Sequence, residues 1–409
     1  MVEQRQGFRV PSAVLPNTVP QVLPKREYAS SFSSDPEFDL LLACCASDQK
    51  AERLQNARRG ELDWERLARL ADRHGVLPQV YSALAQAGEA PCAALSGLRP
   101  MYERSVHQAL WLTRELLRII ECFESHGIRA LAHKGPALAQ ILYGNVTSRQ
   151  FADLDILVSP DDLPKVRACL AELGYEASLK LSHSEERAYM DAGYEFVFDF
   201  GEHRNLLEIQ WRILPRFYAV DFNIERFFDR AIAVDLCERA VRTLCPEDLM
   251  LVLCVHAAKH AWTQLSWIRE IGELSKSQQL DWVAIFNEAE RLGICRILAV
   301  SLALANNLFG AEIPEAVQGY AQCDHEVEVV VHRVIPLLSQ GENLDPESVS
   351  YFRLMMDARE RWQDRARFLW RLAVTPSVGE WSAIGLPEPL FPLYRAVRFF
   401  RLARRCWPL

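Results

Sequence analysis

The chain has 409 residues, half of them apolar and 24% charged, which is ordinary globular composition and enough for a core without covalent staples. Its formal net charge of −8 argues against a general affinity for nucleic acid, and no run of 18 apolar residues suggests a membrane-spanning helix. The eleven cysteines include no C-x-x-C pair, so reduced, buried thiols are expected in place of a disulfide framework or a zinc site.

Residues 1–35 are rich in Pro, Ser and polar groups without periodicity, and read as a flexible leader. No basic start precedes an apolar run there, so a signal peptide is not expected and the cytoplasm is the expected location. Residues 36–126 form a helical region. PEFDLLLACCA, ELDWERLARLADRHG and PQVYSALAQA place apolar residues at three- and four-residue spacing. A long helix is predicted over about 101–126, ended by Gly127.

Residues 127–235 differ in texture and form the one clear α/β segment. IRALAH (128–133) is a short apolar strand. Lys134-Gly135-Pro136 then opens a helix with Pro in its first turn. ADLDILV (152–158) alternates as a strand. SPDDLPKVRACLAELGY (159–175) is a helix with Ser159 as its N-cap. YEFVFDF (194–200) and LLEIQWRI (206–213) flank turn residues and predict a hairpin. Residues 236–409 form a C-terminal helical domain, in which helical periodicity returns from 246. The predicted fold class is therefore α+β: a small mixed sheet embedded between N- and C-terminal helical regions.

The chemistry concentrates in the middle segment. Side chains two apart on a strand share a face, so Asp153 and Asp155 stand side by side. Two such carboxylates repel, and a hard divalent cation with oxygen ligands offsets that repulsion. Glu208, on the polar face of LLEIQWRI, is the expected third carboxylate. Upstream, Gly135 allows close backbone approach to a phosphate, the helix start presents free N–H groups, and Lys134 adds a point charge. An Asp-x-Asp on a solvated edge and an ordinary strand-to-helix turn are the plainer readings of the same residues.

Together these pieces resemble the nucleotidyltransferase superfamily with a polymerase-beta-like core. The stretch LAHKGPALAQILYGNVTSRQFADLDILVSPDDLPKVRACLAELGY is similar in particular to a bacterial family described only as uncharacterised nucleotidyltransferases, and similarity extends over roughly 40–409. The resemblance implies metal binding and catalysis by Asp153, Asp155 and Glu208, and nucleotide binding by Lys134, Gly135 and Arg149. It implies two Mg²⁺ or Mn²⁺ ions as cofactors and a nucleoside triphosphate, ATP among the candidates, as substrate. The acceptor is a small molecule or a protein; nucleic acid is disfavoured by the acidic charge. Two departures stand out. Pro136 removes an N–H where the family has a small residue, and Gln210 stands where a histidine is usual; a catalytically degenerate nucleotide-binding or regulatory module is therefore the alternative.

Two further features remain. His256, Lys259 and His260 share one predicted helix face; Lys259 and His260 are candidates for the nucleotide, and the two histidines for packing or a metal. The tail YRAVRFFRLARRCW is expected to pack its aromatics and solvate its arginines, and Trp362, Trp370 and Trp381 to lie in the C-terminal core.

Overall fold

The computed structural model describes residues 35–46, 50–57, 62–87, 92–277, 280–341, 344–345, 348–376, 380, 384 and 386–406. The 1–35 leader lies outside them except for Asp35. Helices α1 (Pro36–Cys45), α2 (Lys50–Ala57), α3 (Trp64–Arg73), α4 (Leu77–Ala87) and α5 (Cys92–Ser125) come first. The middle contains β1 (Ala130–Ala132), α6 (Gly135–Tyr143), β2 (Leu154–Val158), α7 (Leu163–Glu172), β3 (Tyr175–Ala177), α8 (His183–Ala192), β4 (Glu195–Phe200), β5 (His203–Gln210), α9 (Ile224–Arg230), β6 (Ile232–Leu236) and β7 (Arg239–Thr243). Then follow α10 (Pro246–Lys259), α11 (Leu265–Ser275), α12 (Trp282–Leu292), α13 (Cys295–Phe309), α14 (Glu315–Cys323), α15 (Glu326–Gln340), α16 (Val349–Asp357), α17 (Trp362–Val374) and α18 (Tyr394–Cys406). The fold is α+β, a small mixed sheet flanked by helices.

Five strands form the sheet in the order β1-β2-β5-β4-β3. β2 and β5 run parallel, and the other neighbours are antiparallel. Alternation along the strands sorts the two faces. Leu154, Ile156 and Val158 of β2 join Leu207 and Ile209 of β5 in a core shared with Leu116, Ile119 and Phe123 of α5 and Val166 and Leu170 of α7. Leu131 and Leu157 point the other way, into a larger core that also holds Leu251 and Val255 of α10 and Phe38 of α1. Helices from both ends of the chain thus pack against one side of the sheet.

Three local expectations are revised. The long helix begins at Cys92, not near 101, and carries Pro100 inside it, because burial of Leu98, Ala109, Leu112 and Leu116 outweighs the missing hydrogen bond. It ends at Ser125, and Gly127 adopts φ +68° as the turn requires. Ser159 makes no side-chain cap; a short 3₁₀ turn over Pro160–Asp162 precedes α7. The β6–β7 hairpin, with its mixed surface pattern, carries no clear periodic signal in the sequence.

The C-terminal helices follow the expected polarity only in part: Tyr394 is buried and Arg395 exposed as expected, but other positions are reversed. In α18, Phe399 and Phe400 are 57% and 70% exposed, whereas Arg398 is buried. Arg398 is drawn inward because its Nε donates to the Leu372 carbonyl and its Nη1 meets Glu380. Trp362 and Trp370 are likewise exposed, and Trp381 lies outside the described residues.

Candidate active site

The site forms where β2 and β5 lie side by side beneath the start of α6. Register pairs Asp155 with Glu208 directly across the two parallel strands. Asp153 precedes β2 by one residue and keeps the parity of Asp155. Their odd-even partners, Leu154 and Leu207, are buried on the opposite face. Burial of those leucines therefore orients the carboxylates, at about 1.5–3 kcal/mol per side chain.

Gly135 opens α6 at φ +55°, a backbone state that L side chains rarely adopt. A Cβ there would sit 3.6 Å from both the Asp153 carbonyl oxygen and Leu154 Cδ2. Space therefore allows a side chain, and the backbone angle is what selects glycine. The turn lies directly against the residue that begins the carboxylate set.

The carboxylates differ in surroundings. Asp155 is buried and accepts from Lys134 Nζ at 2.7 Å and from Gln210 Nε2 at 3.0 Å. Lys134 holds its carboxyl below the ordinary range against the opposing pull of burial. Gln210 Nε2 also lies 3.1 Å from Glu208 Oε2, so one amide spans both acids. Glu208 is pushed well above the ordinary range by burial, then by the charges of Asp155 and Glu195. Asp153 is pushed up by burial and by Asp155. The protein groups around the three acids thus favour charge on Asp155, and burial disfavours it on Asp153 and Glu208.

Three elements close over this surface. Lys259, at the end of α10, has its Nζ 2.9 Å from the Tyr194 hydroxyl and 4.6 Å from that ring's centre. Burial lowers its pKa. His256 meets Trp267 edge to face at 5.1 Å between ring centres, His260 lies tilted against it at 5.0 Å, and burial depresses both. After α10 the chain turns through Ala261 and Trp262, both at positive φ, with Trp262 fully buried and its Nε1 donating to Ser301 Oγ at 2.9 Å. Two such residues store backbone strain beside the site.

Residues 60–310 match the model of a family described as "Uncharacterised nucleotidyltransferase". The chain belongs to this nucleotidyltransferase family. No curated protein matches it. Among solved structures, an antigenic nucleotidyltransferase-like protein from Paracoccidioides brasiliensis is similar at 15% identity, covering 50% of this chain and 95% of that one, with a TM-score of 0.29. That score is too low to bear on the site.

Within this nucleotidyltransferase-family chain, the structure brings Lys134, Gly135, Asp153, Asp155 and Glu208 together, with Lys259 on the facing helix. Lys134 is engaged by Asp155. Arg149 does not face open space: its Nε lies 2.8 Å from Glu270 Oε1 of α11, and both side chains are buried. It ties the segment before β2 to the helical region, and its charge still acts on Asp153. His260 packs on Trp267.

Sequence reading missed three members. Tyr194 immediately precedes β4, and Glu195 begins it and pairs with Gln210. Glu195 Oε2 is buried without a hydrogen-bond partner and adds to the negative potential around Glu208. His133, fully buried beside Lys134, is depressed to about 4 by burial. An acid at the first position of the hairpin, with the parity of Val197 opposite Glu208, was the available signal for Glu195.

Proposed function

We propose that this chain transfers a nucleoside monophosphate from a nucleoside triphosphate to a hydroxyl of a small-molecule or protein acceptor. The observation that carries this reading is the direct register of Asp155 with Glu208, two residues after Asp153, beside the Gly135 turn. An all-oxygen donor set suits Mg²⁺ or Mn²⁺, and the buried Glu195 Oε2, which lacks a hydrogen bond, supports a cation near this surface. Asp153, Asp155 and Glu208 would hold the ions. Bound divalent ions would supply charge neutralisation on the phosphates and a lowered pKa at the acceptor.

The remaining steps fall to the chain. The turn at Gly135 and Lys134 would hold the β- and γ-phosphates. Lys259 and His260 would form the wall toward the nucleotide, and Arg149 would keep the Asp153 segment in place. The acceptor oxygen bonds to the α-phosphorus as the bond from that phosphorus to the bridging oxygen breaks; pyrophosphate takes the electron pair. Glu208 in its ionised form takes the acceptor's proton.

A second reading rests on Lys134 and Gln210. Both donate to Asp155, and Gln210 also reaches Glu208, so side-chain donors already serve the acids. In that case the chain binds nucleotide as a partner or regulatory module without turnover.

Calorimetry with ATP and the other triphosphates, with and without Mg²⁺, separates the two. Metal-dependent binding, followed by pyrophosphate release in an acceptor screen and lost on the order of 10³-fold in Asp153→Ala and Asp155→Ala, supports transfer. Nucleotide binding that ignores Mg²⁺, with no pyrophosphate, supports the second reading.

A further inference from the structure

The helices behind the sheet carry a second set of ligand-type side chains, on the face away from the carboxylates. Cys122 lies in the last turn of α5 and His126 just past its end, with the imidazole folded back on the Cys122 carbonyl. Cys169 comes from α7, which packs beside α5 in the core containing Leu154 and Ile156. One ligand atom from each of the three lies within 4.8 Å of the other two.

The individual contacts are specific. Cys122 Sγ is 4.0 Å from His126 Nδ1 and 3.9 Å from the Cys169 carbonyl oxygen. His126 Nδ1 lies 2.9 Å from the Cys122 carbonyl oxygen and 3.1 Å from Ser125 Oγ. Nδ1 is thus the ring nitrogen that faces the Cys122 thiol, and as a ligand it would exchange its contact with that carbonyl for the metal while Nε2 carries the ring proton. Glu172, three residues beyond Cys169 on α7, is exposed and near enough for its charge to act on that thiol.

Two sulfurs and an imidazole are a soft donor set, unlike the oxygens of the carboxylate site. Tetrahedral zinc needs donors about 3.5–3.8 Å apart, given Zn–S of about 2.3 Å and Zn–N of about 2.0–2.1 Å. Closing to that spacing takes about 1 Å of side-chain rotation, which the surface position of His126 allows.

We propose that Cys122, His126 and Cys169 bind a zinc-type cation that clamps the end of α5 to α7, with Glu172 or water as the fourth ligand. Each thiol gives its proton to solvent as its sulfur–metal bond forms, two protons per ion. No reduction or oxidation is involved. The site was hidden in the sequence because its cysteines are 47 residues apart and match no zinc spacing.

The test is a Co²⁺ titration of the full chain, reduced and stripped with chelator. We expect one equivalent to produce the visible bands of tetrahedral cobalt with a thiolate charge-transfer band, displaced by Zn²⁺. Cys122→Ser and Cys169→Ser should abolish the thiolate band, and His126→Gln should weaken binding at least about tenfold. Cys237→Ser and Cys323→Ser, at exposed thiols, and Asp155→Asn, at the carboxylate site, should leave it intact. Should a cysteine variant fail to fold, zinc protection of Cys122 from alkylation in the unaltered chain gives the same answer. No thiolate band with folded protein, a band that survives both cysteine substitutions, no zinc protection, or a Cys122–Cys169 disulfide in place of metal uptake would each overturn the proposal.

Discussion

Arg149 can be tested as a brace. Its guanidinium and the Glu270 carboxylate are both buried, at 8% and 1% exposure, and meet at 2.8 Å. With charge centres about 4 Å apart and an effective dielectric near 20, their attraction is about 4 kcal/mol. Most of that offsets desolvation, so the pair adds little net stability, but breaking it leaves one buried charge alone. Glu270→Leu and Arg149→Met should each cost about 3–5 kcal/mol in urea unfolding. The double variant should cost much less than the sum, with a coupling of about 3 kcal/mol. A phosphate contact behaves differently: Arg149→Met would weaken triphosphate affinity with folding nearly intact, and Glu270→Leu would not restore it. Single substitutions costing under about 1 kcal/mol, or additive costs, would refute the bracing argument.

Two predictions concern pH. Glu208 is held above its ordinary range by burial and Asp155, so the folded state prefers its neutral form; stability from this group is present at acid pH and is lost as pH rises. Glu208→Gln should therefore stabilise the metal-free protein at pH 8 by about 1.4 kcal/mol or more, and by less at pH 5, in parallel urea titrations. An equal effect at both pH values contradicts the assignment. His74 is fully buried and depressed to about 4, so the unfolded chain takes up its proton first as pH falls. Stability should drop by about 3 kcal/mol from this residue between pH 6.5 and 4, and His74→Gln should flatten that slope. An unchanged slope would show that other groups carry the acid sensitivity.

Much of the site was legible because its signals are local. Period-two alternation at 152–158 and 206–213 places Asp153, Asp155 and Glu208 on one face without knowledge of the fold. Lys134-Gly135-Pro136 reads as a helix opening from residue types alone. The α8 helix was left unread even though it has a full capping box at Ser182 and Glu185, since its apolar face is weak. In α18 the burial of Arg398 has no periodic signal, because its partners lie on α17 and at Glu380.

Strand parity and the glycine turn are therefore set by the sequence, since each depends on steric and burial preferences within a few residues. Which buried charge meets which, by contrast, was decided only by the tertiary structure. Arg149 reaches Glu270 across 121 residues, Lys259 reaches Tyr194 across 65, and Cys122 meets Cys169 across 47. A desolvated polar group must take whatever partner packing brings to it, and packing is a property of the whole chain.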